Sequence, residues 1–153
     1  NTRKIMKYIS LFLLLVALSA CKTYSDDDLN EFDKKIQTYL KEEKIECEKS
    51  SSGMYFKIIE QGEGKKIQFT DRVVFKYKGE LLDGTVFDDQ REEPVEFDVK
   101  DLIGAWKEIM LDLNEGGKAY LVAPPNLGYG THDLEDIPKN SILVFNMEVV
   151  EVK

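Results

Sequence analysis

Apolar residues recur at helical spacing in two stretches of the chain. The first follows three aspartates at positions 26–28, which offer an N-cap and carboxylates suited to the positive end of a helix. Its apolar positions are Leu29, Phe32, Ile36, Tyr39 and Leu40. The second stretch, residues 102–113, contains Trp106, the only tryptophan of the chain. We therefore predict an N-terminal helix and a short amphipathic helix late in the chain.

The apolar stripe of the N-terminal helix permits two interpretations. In the first, the helix lies against the rest of the chain or stays partly loose. In the second, residues 27–45 form the interface of a homodimer. One helical stripe makes a thin interface, so packing within the chain is the simpler expectation. The residues that follow, "EKSSSG" at 48–53, have the composition of a linker.

After Gly53 the spacing of apolar residues changes from helical to alternating, which is typical of strands with one buried face. The alternating positions are Met54, Phe56 and Ile58, then Val73, Phe75 and Tyr77, and finally Leu143, Phe145, Met147 and Val149. "VEFDV" and "KAYLVA" are two further candidate strands, and glycine-containing turns separate the segments. Because no crossover helices connect these strands, we expect an antiparallel sheet. A helix covering one face of it predicts an α+β fold.

Residues 1–20 have the pattern of a secretory signal. Arg3, Lys4 and Lys7 precede the apolar run "YISLFLLLVAL", which is shorter than the roughly 20 residues of a membrane-spanning helix. The run ends in "LSAC", and a cysteine directly after small residues resembles a bacterial lipobox. The resemblance implies that Cys21 becomes the acylated N-terminus of a lipoprotein. The alternative is an ordinary signal peptide with an incidental cysteine.

The lipobox interpretation divides the chain into three parts. They are a signal peptide at 1–20, a lipid-anchored tether (22–30) and helix within 21–53, and one globular domain at 54–153. The protein is then expected in the cell envelope, attached to a membrane through Cys21. Lys22 differs from the aspartate that retains some bacterial lipoproteins in the inner membrane, so the outer membrane is the favoured location.

The net charge of the chain limits the classes of partner that it is expected to bind. Residues 1–20 hold three of the 21 basic residues and no acidic one, which leaves 18 basic against 29 acidic groups and a net charge of −11. Nucleic-acid binding depends on Lys and Arg that neutralise phosphates, so no nucleic-acid partner is expected. Electrostatic attachment to an anionic membrane is disfavoured for the same reason, and the lipid at Cys21 must provide the anchoring.

Most catalytic and metal-binding patterns are missing from the sequence. His132 is the only histidine, no G-x-S-x-G nucleophile elbow is present, and a zinc site lacks its usual ligands. Cys47 is the only thiol besides Cys21, and the carboxylates of Glu46 and Glu48 would raise its pKa. Without a phosphate-binding loop or dinucleotide fingerprint, no cofactor and no metal are expected. An aromatic pocket remains as the candidate site.

Five blocks of the sequence together resemble FKBP-type peptidyl-prolyl isomerases. They are "VVFKYKGELLDGTVFDD" (73–89), "PVEF" (94–97), "LIGAWKEIM" (102–110), "NEGGKAYLVAPPNLGYG" (114–130) and "IPKNSILVFNMEVVEV" (137–152). They resemble the family's Tyr-x-Gly strand with Asp-Gly-x-x-Phe-Asp, its Pro-x-x-Phe, its Val-Ile-x-Gly-Trp helix start, its Leu-x-Tyr-Gly loop and its final Ile-Pro strand. Each block alone is weak, but all five occur in family order.

The resemblance implies a twisted antiparallel half-barrel sheet around the short helix, with a pocket for a prolyl ring between them. It implies that Trp106 is the pocket floor and that the walls and rim are Tyr77, Phe87, Phe97, Leu102, Ile103 and Phe145. Asp88 and Tyr129 are then the polar groups at the mouth, and the backbone N–H of Ile103 donates to substrate. Simple turn capping by Asp88 and simple aromatic packing by Tyr129 remain the alternatives.

The function implied is peptidyl-prolyl cis-trans isomerisation of exported proteins, whose proline-containing chains would be the substrates. The alternative is a proline-binding chaperone or envelope assembly factor with little isomerase activity. The sequence departs from the family pattern at three places, one of which is Pro124-Pro125, where the family more often has Ile-Pro. Ala105 occupies a position that is usually Gly, and the loop at 129–137, "YGTHDLEDI", is short and acidic. His132 matches the family's loop histidine only approximately and is not assigned a catalytic role.

Overall fold

The computed structural model describes residues 24–153, which form two α-helices and seven strands. The helices are α1 (Asp26–Glu43) and α2 (Gly104–Asp112). The strands are β1 (Glu48–Lys49), β2 (Tyr55–Glu60), β3 (Arg72–Leu81), β4 (Val86–Asp89), β5 (Val95–Asp98), β6 (Lys118–Ala123) and β7 (Leu143–Val152). Short 3-10 segments cover Val99–Asp101 and Pro125–Leu127. The expected signal peptide and Cys21 lie outside the described residues.

The seven strands form one antiparallel sheet. Its order is β1-β2-β6-β7-β3-β4, and β5 pairs with β3 beside β4. The two ten-residue strands β3 and β7 are neighbours at its centre. The antiparallel sheet with a short helix on one face confirms the predicted α+β fold. Neither helix within residues 24–153 combines the length and apolarity that crossing a membrane requires.

The two faces of the sheet carry two separate apolar cores, because successive side chains of a strand point to opposite faces. On β6, Ala119, Leu121 and Ala123 pack on the face covered by α2, called here the inner face, which holds the inner core. Tyr120 and Val122, between them, pack on the outer face covered by α1, which holds the outer core. One helix therefore covers part of each face, while the alternate residues Asn146, Glu148 and Val150 of β7 stay exposed on the side of α1.

Helix α1 starts one residue earlier than its aspartates indicated. Its N-cap is Ser25, whose hydroxyl accepts from the Asp28 backbone N–H while the Asp28 carboxylate accepts from the Ser25 backbone N–H. This reciprocal pair is a capping box. At the other end Lys44 takes the left-handed conformation, with φ 57°, and terminates the helix. The expected N-cap among residues 26–28 was therefore wrong by one position.

The apolar stripe of α1 packs within the chain. Phe32, Ile36 and Leu40 are buried against the outer core formed with β2, β6 and β7. The homodimer hypothesis for residues 27–45 needed this stripe to be exposed, so the structure does not support it. Tyr24 is buried as well. Residues 24–30, expected from the sequence to belong to a tether, are therefore part of the folded structure.

Two strands were not among the sequence-based predictions. Strand β1 lies inside the expected linker at 48–53 and is only two residues long, paired with Tyr55 and Phe56 of β2. Strand β4 is four residues long and returns from the "LDGT" turn to pair with β3. Such short segments show too little alternation to be recognised from the sequence.

Candidate active site

The inner face of the sheet brings aromatic side chains from distant segments together. Strand β3 provides Tyr77, β4 provides Phe87, and β7 provides Phe145. In the sheet Gly79 lies between β4 and β7, opposite Asp88 on one side and Phe145 on the other. A Cβ atom on Gly79 would lie 2.5 Å from the Phe87 ring and 3.0 Å from the Phe145 ring. The two rings can approach β3 this closely only because that residue is glycine.

Helix α2 places Trp106 in the middle of these rings. Its N-cap is Ile103 in extended conformation, and the first helical residues are Gly104 and Ala105. The small side chain of Ala105 is fully buried, so the chain can turn into the helix in a crowded position. The methyl group of Ala105, at a position where the family usually has Gly, is therefore accommodated in the core.

The Trp106 indole is packed edge-on against three rings. Its centroid distances are 4.7 Å to Tyr77, 4.9 Å to Phe145 and 5.2 Å to Phe75, with interplanar angles of 66°, 72° and 87°. Phe87 in turn meets Phe145 edge-on at 5.8 Å. Edge-to-face pairs of this kind are favourable beyond their buried area, so the aromatic set holds a defined shape.

A cavity of about 230 Å³ opens above the indole. Six residues predicted from the sequence line it, namely Tyr77, Phe87, Asp88, Trp106, Tyr129 and Phe145. Leu134, Glu135, Asp136 and Ile137 complete the lining from the acidic loop. The structure thus gathers four strands or loops and one helix around a small, mainly aromatic site.

A hydrogen-bond network fixes Asp88 at the edge of this cavity. The Tyr77 hydroxyl donates to Oδ2 of Asp88, and the Gln90 side-chain amide donates to Oδ1 at 2.8 Å. The Gln90 backbone N–H also donates to the Tyr77 carbonyl at 2.8 Å. Both carboxylate oxygens therefore have neutral donors. Sequence reasoning missed Gln90, and its only signal was its position two residues after Asp88.

Tyr129 stands at the cavity with its hydroxyl available. No other group of residues 24–153 is hydrogen-bonded to that hydroxyl. Burial and the negative charge of Asp88 raise the pKa of Tyr129 above its ordinary value. Burial and the hydrogen bond to Asp88 likewise raise the pKa of Tyr77. Both phenols therefore remain protonated hydrogen-bond donors at neutral pH.

The family model for FKBP-type peptidyl-prolyl cis-trans isomerases matches residues 63–150. This match covers more than half of the chain. The chain belongs to the FKBP-type peptidyl-prolyl cis-trans isomerase family.

Relatives named as FKBP-type isomerases agree with the match. FkpA of Escherichia coli is 42% identical over 106 residues, which are 68% of this chain and 39% of FkpA. A probable FKBP-type isomerase of Haemophilus influenzae is 33% identical over 153 residues, 98% of this chain and 63% of that protein. The chain spans only 39–43% of the length of the FkpA relatives from E. coli and from Buchnera aphidicola of Schizaphis graminum.

Solved structures show the same fold. The crystal structure of E. coli FkpA matches with a TM-score of 0.72 at 34% identity, covering all of this chain and 73% of that one. A peptidyl-prolyl isomerase structure from Pseudomonas syringae matches with a TM-score of 0.68 at 28% identity, covering 81% and 95% of the two chains. These similarities confirm the FKBP-like fold expected from the motifs.

Three residues taken from the FKBP resemblance do not line the cavity. Phe97 is 46% exposed on β5 and pairs with Val73, four residues or about 13 Å along β3 from Tyr77. Leu102 is buried in the inner core, and Ile103 is half-buried at the start of α2. Within residues 24–153 the Ile103 backbone N–H has no acceptor. Its donation to substrate stays a prediction, as do binding roles for Phe97 and Leu102.

The side chains of His132 and Cys47 do not line the cavity. Exposed His132 has its Nδ1 2.9 Å from the Tyr129 carbonyl. Cys47 is half-buried, and burial raises its pKa, which opposes thiolate formation. No group of three metal-ligating side chains occurs among the described residues.

Proposed function

We propose that this chain is a peptidyl-prolyl cis-trans isomerase that acts on proline-containing polypeptides. The observation that carries the proposal is the cavity above Trp106, which is walled by Tyr77, Phe87 and Phe145 and has Asp88 and Tyr129 at its edge. A volume of about 230 Å³ suits one small ring. Its family relatives support the same activity, although the chain spans less than half of FkpA.

The chemistry of the cavity fits rotation about an amide bond. An X–Pro bond rotates over a barrier of about 20 kcal/mol, because resonance gives the C–N bond partial double-bond character. Resonance is lost when the amide is twisted, so the carbonyl oxygen becomes less negative and the amide less polar. A water-poor aromatic cavity therefore binds the twisted amide better than the planar one. Stronger binding of the transition state than of the ground state accelerates rotation.

The polar groups at the edge hold the substrate and need no covalent step. The free Tyr129 hydroxyl is placed to donate to a peptide carbonyl. Asp88 orients Tyr77 through their hydrogen bond and keeps a negative charge beside the rotating amide. Both roles require a protonated phenol, and the raised pKa values of Tyr77 and Tyr129 preserve it.

The proposed setting is the cell envelope, where X–Pro isomerisation of exported chains takes tens of seconds without a catalyst. Support comes from the apolar run and "LSAC" pattern before Cys21, and Lys22 favours the outer membrane. Radiolabelled palmitate should be incorporated by the unaltered chain and not by Cys21→Ser. Equal labelling of both chains would contradict the anchor.

The activity is tested with residues 22–153, which contain every described element. We expect faster cis-trans exchange of short X–Pro peptides, reduced by Asp88→Val and by Tyr129→Phe. Tyr120→Phe is the matched control, because Tyr120 is a buried tyrosine on the opposite face of the sheet. No acceleration by a folded protein that still binds the peptides would favour the alternative, a proline-binding chaperone or assembly factor.

A further inference from the structure

All charged side chains that line the mouth of the cavity are negative. Asp88, Glu135 and Asp136 contribute three carboxylates, and no Lys, Arg or His is among the described residues that line it. The other lining residues are aromatic or aliphatic apart from the two tyrosine hydroxyls. A cleft that is lined only by negative charges and has low-dielectric walls focuses the electric field of these charges and attracts cations.

No cation within the described part of the chain compensates these charges. Asp88 is held by the neutral donors Tyr77 and Gln90. Among residues 24–153, Glu135 and Asp136 take part in no ion pair and no side-chain hydrogen bond. The nearby guanidinium of Arg91 is committed to Asp89 by two hydrogen bonds of 2.8 and 2.6 Å. The charge at the mouth is therefore available to a ligand.

The loop presents these two carboxylates on an ordered turn. The Leu134 backbone N–H donates to the Ile137 carbonyl at 3.0 Å, and Ile137 is buried in the inner core. Glu135 and Asp136 lie between these two residues and are exposed to solvent. Leu134 beside them is 42% exposed, so the mouth offers an apolar surface next to the charge.

The residue at the floor of the cavity contains one buried polar atom without a partner in the described part of the chain. The indole Nε1 of Trp106 is buried and has no acceptor among residues 24–153. Buried polar groups nearly always have a partner, and Trp106 lines the cavity.

We propose that Glu135 and Asp136 select polypeptides in which a lysine or arginine stands directly beside the proline. The proposal rests on the proposed function and specifies its substrate class. The prolyl ring occupies the aromatic cavity, and the basic head interacts with the two carboxylates at the mouth. The aliphatic stem of the same side chain packs on Leu134, as long basic side chains do on apolar surface.

The test compares short peptides that carry Lys, Gln or Glu directly before or directly after the proline. Exchange NMR gives kcat/KM for residues 22–153 and for the double variant Glu135→Gln/Asp136→Asn. The matched control is Glu42→Gln/Glu43→Gln, which removes the same two charges from exposed positions on α1, on the opposite face of the sheet. Titration of the same peptides by the fluorescence of Trp106, the only tryptophan, measures binding independently of catalysis.

We expect kcat/KM for a Lys peptide to exceed that for its Glu counterpart by about 2- to 20-fold, because each exposed pair contributes up to about fivefold. The double variant should lose this ratio, the control should keep it, and 0.5 M salt should reduce it through screening. An unchanged ratio in the double variant, or equal rates with Lys and Glu at both positions, overturns the selectivity. If no peptide is isomerised, the proposed function fails. The ratio of the binding affinities for the Lys and Glu peptides, measured by Trp106 fluorescence, then tests the selectivity.

Discussion

Tyr77 and Asp88 are hydrogen-bonded across the adjacent strands β3 and β4, with the phenol as donor and the carboxylate as acceptor. The bond joins the wall of the cavity to the polar group at its edge. A change in either residue therefore affects the position of the other.

Tyr77→Phe should lower both activity and stability. It leaves Asp88 with Gln90 as its remaining side-chain donor, and a lost hydrogen bond to a charged group costs about 1.5–3 kcal/mol. We expect kcat/KM to fall about tenfold or more, since 1.4 kcal/mol corresponds to a factor of ten. Tyr120→Phe, which loses only a 3.4 Å contact with the Tyr39 hydroxyl, should leave activity unchanged. Equal activity of Tyr77→Phe and Tyr120→Phe would show that the hydrogen bond between Tyr77 and Asp88 does not contribute to catalysis.

Gly79→Ala tests whether the close approach of the rings shapes the cavity. The new methyl would lie 2.5 Å from Phe87 and 3.0 Å from Phe145, so both rings must move. We expect a loss of about 1–3 kcal/mol in the free energy of unfolding and a 10- to 100-fold loss of isomerase activity. The double variant Gly79→Ala/Phe87→Leu should regain stability but not activity. A single variant as stable and active as the unaltered protein would show that the rings tolerate displacement.

The fold was largely predictable from alternation, because the central strands bury one face much more completely than the other. In β3 and β7 every second residue lies in the inner core, so the pattern that places Phe75 and Phe145 on one face reflects the structure directly. Trp106 was equally recognisable, because it lies at the start of a helix beside Gly104 and Ala105. These are features that the local sequence determines.

Of three features that were missed or misplaced, the cap of α1 is a local contact, and the other two depend on contacts between distant segments. Ser25 rather than Asp26 caps α1, because the reciprocal bond requires a carboxylate three residues later, at Asp28. Gln90 reaches Asp88 only because the end of β4 is held against Tyr77. Motif similarity also assigned Phe97 to the cavity, whereas its pairing with Val73 places it at the far end of β3.

Alkaline pH should destabilise the fold through its buried tyrosines. Burial raises the pKa of Tyr77 and Tyr120 above the ordinary value of 10.0. The unfolded chain therefore loses these protons first, and stability falls as the pH rises above about 10. Each tyrosine contributes at most about 1.4 kcal/mol per pH unit, less where solvent screens the phenolate.

The measurement is urea unfolding at pH 8, 9, 10 and 11. Tyr120→Phe should show a shallower decline above pH 10 than the unaltered protein, because one titrating group is gone. Lysines with raised pKa values contribute equally to both proteins and cancel in the difference. Parallel curves for the two proteins would mean that Tyr120 ionises alike in the folded and unfolded states.

The N-terminal segment is connected to the loop that carries Tyr129. The Tyr24 hydroxyl donates to Oδ1 of Asn140 at 2.8 Å, and the Asn140 backbone N–H donates to the Gly130 carbonyl at 2.8 Å. Asn140 adopts a left-handed conformation with φ 61°, which an asparagine tolerates well. Tyr24 also packs edge-on against Phe32 of α1 at 5.3 Å. Helix α1 and the base of the loop are thus joined through one side chain.

Tyr24→Phe should loosen this loop without unfolding the protein. The ring and its contact with Phe32 are kept, while the lost hydrogen bond costs about 0.5–1.5 kcal/mol. We expect faster amide exchange within residues 129–141 and a KM for peptide raised about twofold to tenfold, with kcat nearly unchanged. Tyr39→Phe, on helix α1, loses only the 3.4 Å contact with Tyr120 and should change neither quantity. Unaltered amide exchange in Tyr24→Phe would show that α1 packs on the sheet without positioning the loop.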